Sequence, residues 1–213
     1  MSIVTCHLSI SIDGFAAGPN QSVDNPLGEG GMRLHDWIFD TRAWHEMQGE
    51  EGGASTPDSD AFKETSANVG AYIMGRKMFG GGAGAWDESW TGWWGDDPPY
   101  RTQVFVLTHH QRRPLRMGAT TFNFVTDGIE SALDQARDAA GDKDVLVAGG
   151  ASTARQYMVA GKLDELNVHI SPIILGAGES LWKDVGHPVL KPVKVAGSDK
   201  VTHIRYRFVQ GVI

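Results

Sequence analysis

The sequence predicts an α/β fold of three layers, in which helices pack on both faces of one mixed, mostly parallel sheet. Short apolar runs alternate with segments of helical period through the middle of the chain. Glycines stand where several of these runs end, as they do where a strand turns into a helix. The last part of the chain instead has two alternating runs, 189–195 and 201–209, with no helix between them. This pattern predicts a C-terminal antiparallel hairpin at the edge of the sheet.

Length and composition are those of an ordinary globular protein. The 213 residues fit one domain, residues 1–213, and 41% of them are hydrophobic. No apolar run approaches the roughly 18 residues that cross a membrane, and the first residues show no secretion signal. A single cysteine agrees with a reducing compartment, so we expect a cytoplasmic protein with no membrane partner. The net charge of −7 predicts no nucleic-acid partner.

The N-terminal third is predicted to contain one strand and two helices. The strand lies near residues 3–12 and is followed by a loop rich in Gly, Pro and Asn that reaches about Gly31. One helix is predicted over Leu34–Met47. An acidic segment then leads into a second helix, for which Asp58 or Ser59 is the predicted N-cap.

The next segment begins the strand–turn–helix pattern. An apolar strand over Ala71–Met74 is closed by Gly75, and a helical turn follows as far as Phe79. Residues 80–101 hold four of the seven tryptophans among many glycines, so they are predicted to be a loop. Exposed tryptophans in this loop would form a pocket wall or a partner surface.

The second half of the chain continues the alternation. Apolar strands are predicted over Gln103–Thr108 and Thr121–Thr126, and a helix is predicted over Ile129–Ala140. The next strand, Asp144–Ala148, leads into a helix over Ser152–Val159.

The last strand of the parallel core is predicted over Glu165–Ser171. The C-terminal hairpin then turns at Gly197–Asp199.

Three strand ends carry groups that suit an anion. Gly149-Gly150 stands between a strand and a helix, where small residues and free backbone N–H groups favour phosphate. Arg76-Lys77 follows another strand end, and the basic cluster His109–Arg113 follows a third. Ligands of open α/β sheets gather at the carboxyl ends of strands, so we expect a phosphate-bearing cofactor there. An ordinary glycine turn and a solvated basic pair are the alternatives.

Four segments, in order, carry a resemblance to a known family: Leu8–Phe15, Gly75–Lys77, Val147–Gly150 and Ser171–Gly178. Over about residues 2–209 the chain resembles the dihydrofolate reductase superfamily, and most closely the reductase domain of bacterial riboflavin biosynthesis. The resemblance implies a dihydrofolate-reductase-like fold and a homodimer. It also implies an NADPH-dependent reductase of a small heterocyclic substrate, similar to 5-amino-6-(5-phosphoribosylamino)uracil reductase.

The resemblance further implies which residues contact NADPH. Those expected at the 2′-phosphate and the adenosine phosphate are Gly75, Arg76, Lys77, Met78, Thr108 and His109. Those expected at the pyrophosphate are Gly149, Gly150, Ala151 and Ser152. Those expected beside the nicotinamide are Ala16, Ala17, Leu175 and Gly176. Many relatives have threonine where this chain has Met78, which removes one hydroxyl donor to phosphate.

Two carboxylates are candidates for the proton that accompanies hydride transfer. Asp36 on the first helix, between Trp37 and Phe39, is expected to have a raised pKa and to donate or relay a proton. Asp13 is the second candidate. The alternatives are a surface aspartate on a helix and an ordinary Asp-Gly turn.

The sequence predicts no metal site and leaves two alternative functions open. The eight histidines lack the spacing of a zinc site, so no metal is expected. A dihydrofolate reductase proper is one alternative function. A non-catalytic nucleotide-binding module that grips a partner with the tryptophans of residues 80–101 is another.

Overall fold

The computed structural model describes residues 2–209 and contains one nine-stranded sheet. The strands are β1 (Val4–Ser11), β2 (Val69–Gly75), β3 (Gln103–Leu107), β4 (Leu115–Met117), β5 (Thr120–Val125), β6 (Asp144–Gly149), β7 (Glu165–Ser171), β8 (Leu190–Gly197) and β9 (Thr202–Phe208). The α-helices are α1 (Asp36–Phe39), α2 (Arg42–Gln48), α3 (Pro57–Glu64), α4 (Arg76–Phe79), α5 (Gly128–Ala140) and α6 (Ala151–Val159).

The strands lie in the order β4-β5-β3-β2-β6-β1-β7-β9-β8. Strands β5, β3, β2, β6, β1 and β7 pair in parallel, whereas β4, β9 and β8 pair antiparallel at the two edges. The predicted mostly parallel sheet and C-terminal hairpin are therefore confirmed. The short strand β4 was not predicted, because its three residues follow closely after the basic cluster His109–Arg113 and form no apolar run.

One face of the sheet packs against α5 and α6. Helix α5 buries an alanine and leucine stripe at helical spacing, formed by Ala132, Leu133, Ala136 and Ala140. These side chains pack with alternate residues of the central strands, such as Cys6 and Val147, in the main hydrophobic core. The stripe fixes α5 and α6 on this side and leaves the strand ends free for a site.

The opposite face is divided into two halves of different chemistry. The tryptophan half is apolar and is covered by residues 80–101; its members on strands include Tyr72, Met74, Val104, Val106, Phe122 and Leu146. The histidine half lies on β1, β7 and β9 and is polar; its members include His7, Ser9, Asn167, His169, His203 and Arg205. Short helices α1 to α3 cover the histidine half.

The predicted helix Leu34–Met47 is in fact three short pieces. A 3-10 helix over Gly31–His35 runs into α1, and α2 begins only after a break. Thr41 makes this break: its backbone is extended, with φ −81° and ψ 144°, and its side chain accepts from Trp44 N. A threonine N-cap within an apolar periodic run starts a new helix, and the period alone does not reveal it.

Helix α3 begins at Pro57 and is capped by Thr56, whose hydroxyl accepts from Ser59 N at 3.3 Å. The predicted caps Asp58 and Ser59 are wrong because both side chains are buried and bonded elsewhere. Asp58 accepts from Ser198, and Ser59 Oγ accepts from the backbone of α2. Proline at the first helical position is the signal that favours Thr56. Among residues 2–209, no helix has both the length and the apolar character to cross a membrane.

Candidate active site

The carboxyl ends of the parallel strands lie side by side along one end of the sheet, which we call the carboxyl edge. There β2 ends at Gly75, β3 at Leu107, β6 at Gly149, β1 at Ser11 and β7 at Ser171. Because these strands run in the same direction, the residues that follow them face a common edge. The predicted cofactor positions therefore come directly after strands that end along this carboxyl edge. The tryptophan half and the histidine half lie on the sheet face next to it.

The glycine pair lies between β6 and α6. Gly149 has φ 126°, a conformation that favours glycine, and its peptide bond to Gly150 is cis. Gly150 is the N-cap of α6, and a Cβ built on it meets no heavy atom of the described residues within 4 Å. Ala151 and Ser152 open the helix, where backbone N–H groups lack intrahelical acceptors. The edge thus offers open space beside a helix N-terminus.

Gly75 lies in close contact with α6. A Cβ at this position would lie 2.4 Å from Thr153 Oγ1 of α6, so the strand end and the helix approach too closely for a side chain. Gly75 allows β2 to pack against α6. A direct phosphate contact from Gly75 stays a prediction.

Arg76 is held in place by the loop that follows it. Its Nε donates to Gly82 O at 3.0 Å and its Nη1 to Gly84 O at 2.6 Å, while its guanidinium carbon lies 3.7 Å from the Trp86 ring centroid. Its Nη2 is buried and has no hydrogen-bond partner within residues 2–209. The loop therefore fixes the Arg76 guanidinium, which is the type of group that binds phosphate.

Arg112 is a second buried cation in the same region. Its Nη2 donates to the carbonyls of Glu88 and Trp90, and its guanidinium carbon lies 5.2 Å from the Trp86 centroid. Its Nη1 is buried without a partner in the described part of the chain. Desolvation and then repulsion by Arg112 lower the pKa of Arg76. The sequence showed Arg112 only as one member of a basic cluster, with no sign of its burial.

Thr108 and His109 follow β3. Thr108 is buried, and its hydroxyl accepts from His110 N at 3.2 Å, whereas His109 is exposed. An open cavity of about 530 Å³ lies at the end of the neighbouring strand β5, and neither Thr108 nor His109 lines it. The cavity is lined by Glu88, Gln111, Arg112, Arg113, Phe124 and Thr126, among others.

The turn after β1 is tied to the segment that follows β7. Ala16 N donates to Glu179 O at 2.9 Å, and Glu179 N donates to Ala17 O at 3.0 Å. Asp13 accepts from Leu175 N at 3.1 Å and from Gly176 N at 2.7 Å. The predicted positions Ala16, Ala17, Leu175 and Gly176 are thus brought together at one end of the edge, with Asp13 as the brace between them.

The environment of Asp13 favours its ionised form. A hydrogen bond with Ser11, followed by those from the Gly176 and Leu175 backbone, lowers the pKa of Asp13. An ionised carboxylate that already accepts two N–H groups is a poor proton donor. Its catalytic role stays a prediction, one that this geometry does not favour.

Lys77 and Arg155 meet at one carboxylate. Lys77 Nζ lies 2.9 Å from Glu179 Oε1, and Arg155 Nη2 lies 3.8 Å from Glu179 Oε2. Arg155 also donates to Ser180 O. This cluster joins α4, α6 and the segment after β7. Sequence analysis missed Arg155 and Glu179, because no short motif marks an ion pair between such distant segments.

Asp36 stands exposed at the start of α1. Trp37 turns into the interior, where its indole N–H donates to Ser9 Oγ at 3.2 Å, and Phe39 is 36% exposed. The expected aromatic wall around Asp36 is therefore wrong, because the wall needs Trp37 on the same side. A proton-donating role for Asp36 remains a prediction without that support.

The tryptophans of residues 80–101 pack onto the protein itself. The indole N–H groups of Trp86, Trp90 and Trp93 donate to the carbonyls of His110, Phe79 and Met78, at 2.8, 3.0 and 2.9 Å. All four are partly buried rather than exposed, so the expectation of exposed tryptophans is wrong. In the described part of the chain, no group of three or more His, Cys, Asp or Glu side chains is arranged to hold a metal ion.

Comparisons with known proteins agree with this architecture. The RibD C-terminal domain family matches residues 2–204. An uncharacterised Bacillus subtilis protein, YyaP, is 24% identical over 191 residues, which cover 84% of this chain and 79% of that protein.

Solved structures share the fold at low sequence identity. A putative riboflavin biosynthesis protein from Shewanella has a TM-score of 0.64 at 18% identity, with 98% of this chain and 99% of that chain covered. A pyrimidine reductase-like protein from Corynebacterium diphtheriae has a TM-score of 0.57 at 14% identity, with 99% and 93% covered.

A two-activity protein from Thermotoga maritima shares the same fold. This diaminohydroxyphosphoribosylaminopyrimidine deaminase/5-amino-6-(5-phosphoribosylamino)uracil reductase has a TM-score of 0.56 at 15% identity; 98% of this chain matches 57% of that one. Since the family match spans nearly the whole sequence, the chain belongs to the RibD C-terminal domain family.

Proposed function

We propose that this protein is an NADPH-dependent reductase of a small heterocyclic substrate, resembling 5-amino-6-(5-phosphoribosylamino)uracil. The observation that carries the proposal is the open space at Gly150, at the start of α6, together with the guanidinium of Arg76 after β2, whose Nη2 has no hydrogen-bond partner among residues 2–209. A helix N-terminus and an unpaired guanidinium donor are two groups that bind phosphates. Both are needed for a cofactor with a pyrophosphate and a further phosphate.

The residues along the edge fit the parts of NADPH in order. Gly149, Gly150, Ala151 and Ser152 would hold the pyrophosphate, and Arg76 the 2′-phosphate, with Lys77, Met78, Thr108 and His109 beside it. Ala16, Ala17, Leu175 and Gly176 would bound the nicotinamide. When bound, the reduced nicotinamide supplies a hydride.

The chain's own residues bind and orient the cofactor. Asp13 fixes the Leu175–Gly176 turn, and Glu179 holds the Ala16–Ala17 turn through two backbone bonds. Trp86 and the carbonyls of Gly82 and Gly84 fix the Arg76 guanidinium before any ligand arrives. Preorganised donors lower the ordering cost of binding.

The substrate class is supported by family membership and by the reductase activity named for the Thermotoga maritima relative. A dihydrofolate reductase proper is less well supported, because Asp36 is exposed rather than enclosed by aromatic rings. A non-catalytic module that grips a partner is less well supported too, because Trp86, Trp90 and Trp93 are bonded internally.

We further propose a single-domain cytoplasmic homodimer that pairs through the C-terminal hairpin. Strand β8 is the edge of the sheet, and its Val193 and Val195 are 42% and 65% exposed. An exposed edge strand with apolar side chains offers a surface that a second copy can cover.

Turnover tests the substrate class. Purified protein is mixed with NADPH and either 5-amino-6-(5-phosphoribosylamino)uracil or dihydrofolate, and loss of the nicotinamide absorbance is followed. The proposal predicts oxidation with the aminouracil and none with dihydrofolate. NADPH binding without turnover of pyrimidine, pterin or flavin substrates would instead support the non-catalytic module.

A further inference from the structure

The histidine half contains a buried polar chain that the proposed function does not use. At one end, Arg205 on β9 donates through Nη2 to Glu64 Oε2 at 2.7 Å and through Nε to Asn167 Oδ1 at 2.9 Å. The Asn167 amide nitrogen then lies 3.1 Å from His7 Nε2. Because that nitrogen is a donor, His7 Nε2 must accept. A neutral imidazole that accepts at Nε2 carries its proton on Nδ1.

The other end of the chain is a carboxylate. Asp58 on α3 lies 3.0 Å from His203 Nε2, and Ser198 Oγ donates to its second oxygen at 2.7 Å. The carboxylate accepts, so His203 carries its proton on Nε2 and accepts at Nδ1. His169 Nδ1 lies 2.7 Å from that Nδ1 and must donate to it. His169 Nε2 is therefore left as an acceptor.

Two complementary atoms remain without partners between these ends. His7 Nδ1, a donor, and His169 Nε2, an acceptor, are both buried and bond to nothing within residues 2–209. Their rings lie 6.1 Å apart between centroids, and both residues line one cavity of about 30 Å³. This space is enough for a single water molecule, whose centre needs about 10–15 Å³, and it has one donor and one acceptor beside it.

We propose that one buried water accepts from His7 Nδ1 and donates to His169 Nε2, and that the completed chain is an acid-sensitive latch between α3 and the sheet. Every donor then points the same way, from the Arg205 cation through three neutral imidazoles to the Asp58 carboxylate. A second proton on His7 or on His203 sets two N–H groups against each other, at Asn167 and at His169. A second proton on His169 turns its Nε2 from an acceptor of the water into a donor. The chain therefore runs in one direction only while all three imidazoles are neutral.

The latch also fixes Trp37 on α1. The Trp37 ring lies 4.9 Å from His169 and 4.8 Å from His203 between centroids, and its indole donates to Ser9 Oγ. Loss of the chain therefore loosens α1 and α3 together. The charged and titratable groups that face this region are His35 from the 3-10 helix, Asp58 and Glu64 from α3, Glu165 and His169 from β7, Lys194 from β8, and His203, Arg205 and Arg207 from β9.

The buried environment favours the neutral state. Burial, aided by repulsion from Arg205, lowers the pKa of His7 to about 3, and burial lowers the pKa of His169 well below its usual value. Burial also lowers the pKa of His203, against the opposing effect of Asp58. An unfolded histidine titrates near pH 6.5, so below this pH the unfolded chain binds protons that the buried histidines of the folded chain do not bind. The free energy of unfolding that the neutral histidines contribute is therefore largest above about pH 6.5 and decreases as the pH falls below that value, whereas His7 stays neutral in the folded chain until the pH approaches about 3.

Histidine NMR of the parent protein tests the proposal directly. Long-range ¹H–¹⁵N spectra at neutral pH are expected to show the Nδ1–H tautomer for His7 and His169 and the Nε2–H tautomer for His203. A cationic ring, or the Nε2–H tautomer at His7, overturns the proposal. A high-resolution crystal structure is expected to show one water within hydrogen-bond distance of both His7 Nδ1 and His169 Nε2, and an empty cavity contradicts it.

Two matched variants test the acid response. Each histidine that is buried and neutral in the folded state is expected to raise the unfolding equilibrium constant about tenfold per pH unit below pH 6. A variant that lacks one such histidine loses this contribution. His169→Gln should therefore show a flatter pH dependence than the parent. His187→Gln removes an exposed histidine and should leave the dependence unchanged. Equal pH dependence in both variants overturns the latch, and the tautomers of the parent decide the matter if His169→Gln does not fold.

Discussion

The tryptophan half and the histidine half lie on the same face of one sheet and are stabilised by different physical means. Phe79, at the centre of the tryptophan half, lies 5.1 to 5.7 Å from the rings of Trp86, Phe122 and Phe124 and is fully buried. The histidine half buries a chain between a cation and an anion, where each polar group needs its partner. The difference teaches that adjacent parts of one sheet face can differ in their sensitivity to pH.

Both halves also position parts of the carboxyl edge. In the tryptophan half, Trp86 packs against the guanidinium of Arg76. The histidine half is covered by α1, which carries Asp36. Apolar packing is indifferent to protonation, so Arg76 keeps its place in acid. The position of α1, in contrast, depends on the protonation state of the buried histidines.

The largest effect is expected from Phe79→Ala. Deleting a fully buried ring from an aromatic cluster leaves a cavity, and such changes cost about 3–5 kcal/mol of unfolding free energy. Urea denaturation measures the loss. The loss should be the same at neutral and mildly acid pH, since no titratable group is removed; a loss that shrinks in acid would break the contrast between the halves.

Asp58→Ala is the matching change in the histidine half. It leaves His203 Nε2–H and the Ser198 hydroxyl without their acceptor, which costs about 1–3 kcal/mol in a buried site. Urea denaturation again gives the value, and Asp60→Ala, an exposed aspartate on the same helix, is the control. Equal stability of the two variants would contradict the polar chain.

These contrasts also explain how far the sequence predicted the structure. The parallel core followed from apolar runs such as 103–108 and from the glycines after them, because burial on both faces makes such strands continuously apolar. The helical cover was predicted less well. Thr41 interrupts an apolar period and starts a new helix there by accepting from Trp44 N, which the period alone does not reveal.

The candidate site was predictable where a local motif carried it. Gly149-Gly150 and Arg76 stand at strand ends that any parallel sheet brings to one edge. Arg112, Arg155 and Glu179 were missed, because their burial and pairing depend on contacts between segments far apart in the chain. The buried histidine chain was missed for the same reason, since its members lie on three strands and a helix.

Arg76→Gln tests whether the tryptophan half serves the cofactor. Glutamine retains an amide donor for the loop carbonyls but lacks the charge and the free Nη2. Affinity for NADPH should fall by about tenfold, equivalent to about 1.4 kcal/mol, while affinity for NADH stays unchanged. Fluorescence titration with both nucleotides measures the two affinities. An equal fall for NADH would mean that Arg76 serves the loop alone.

The most direct test of the proposed cofactor site is NADPH titration of the parent, Gly150→Leu and Gln156→Leu. A Cβ at Gly150 meets no described heavy atom within 4 Å, so a leucine there is expected to extend into the space assigned to the pyrophosphate, whereas Gln156 is exposed later on the same helix. The account predicts that the parent and Gln156→Leu bind NADPH alike, and that Gly150→Leu binds at least about tenfold more weakly with an unchanged unfolding midpoint. Equal binding by Gly150→Leu and the parent, or no binding by the parent, would contradict it.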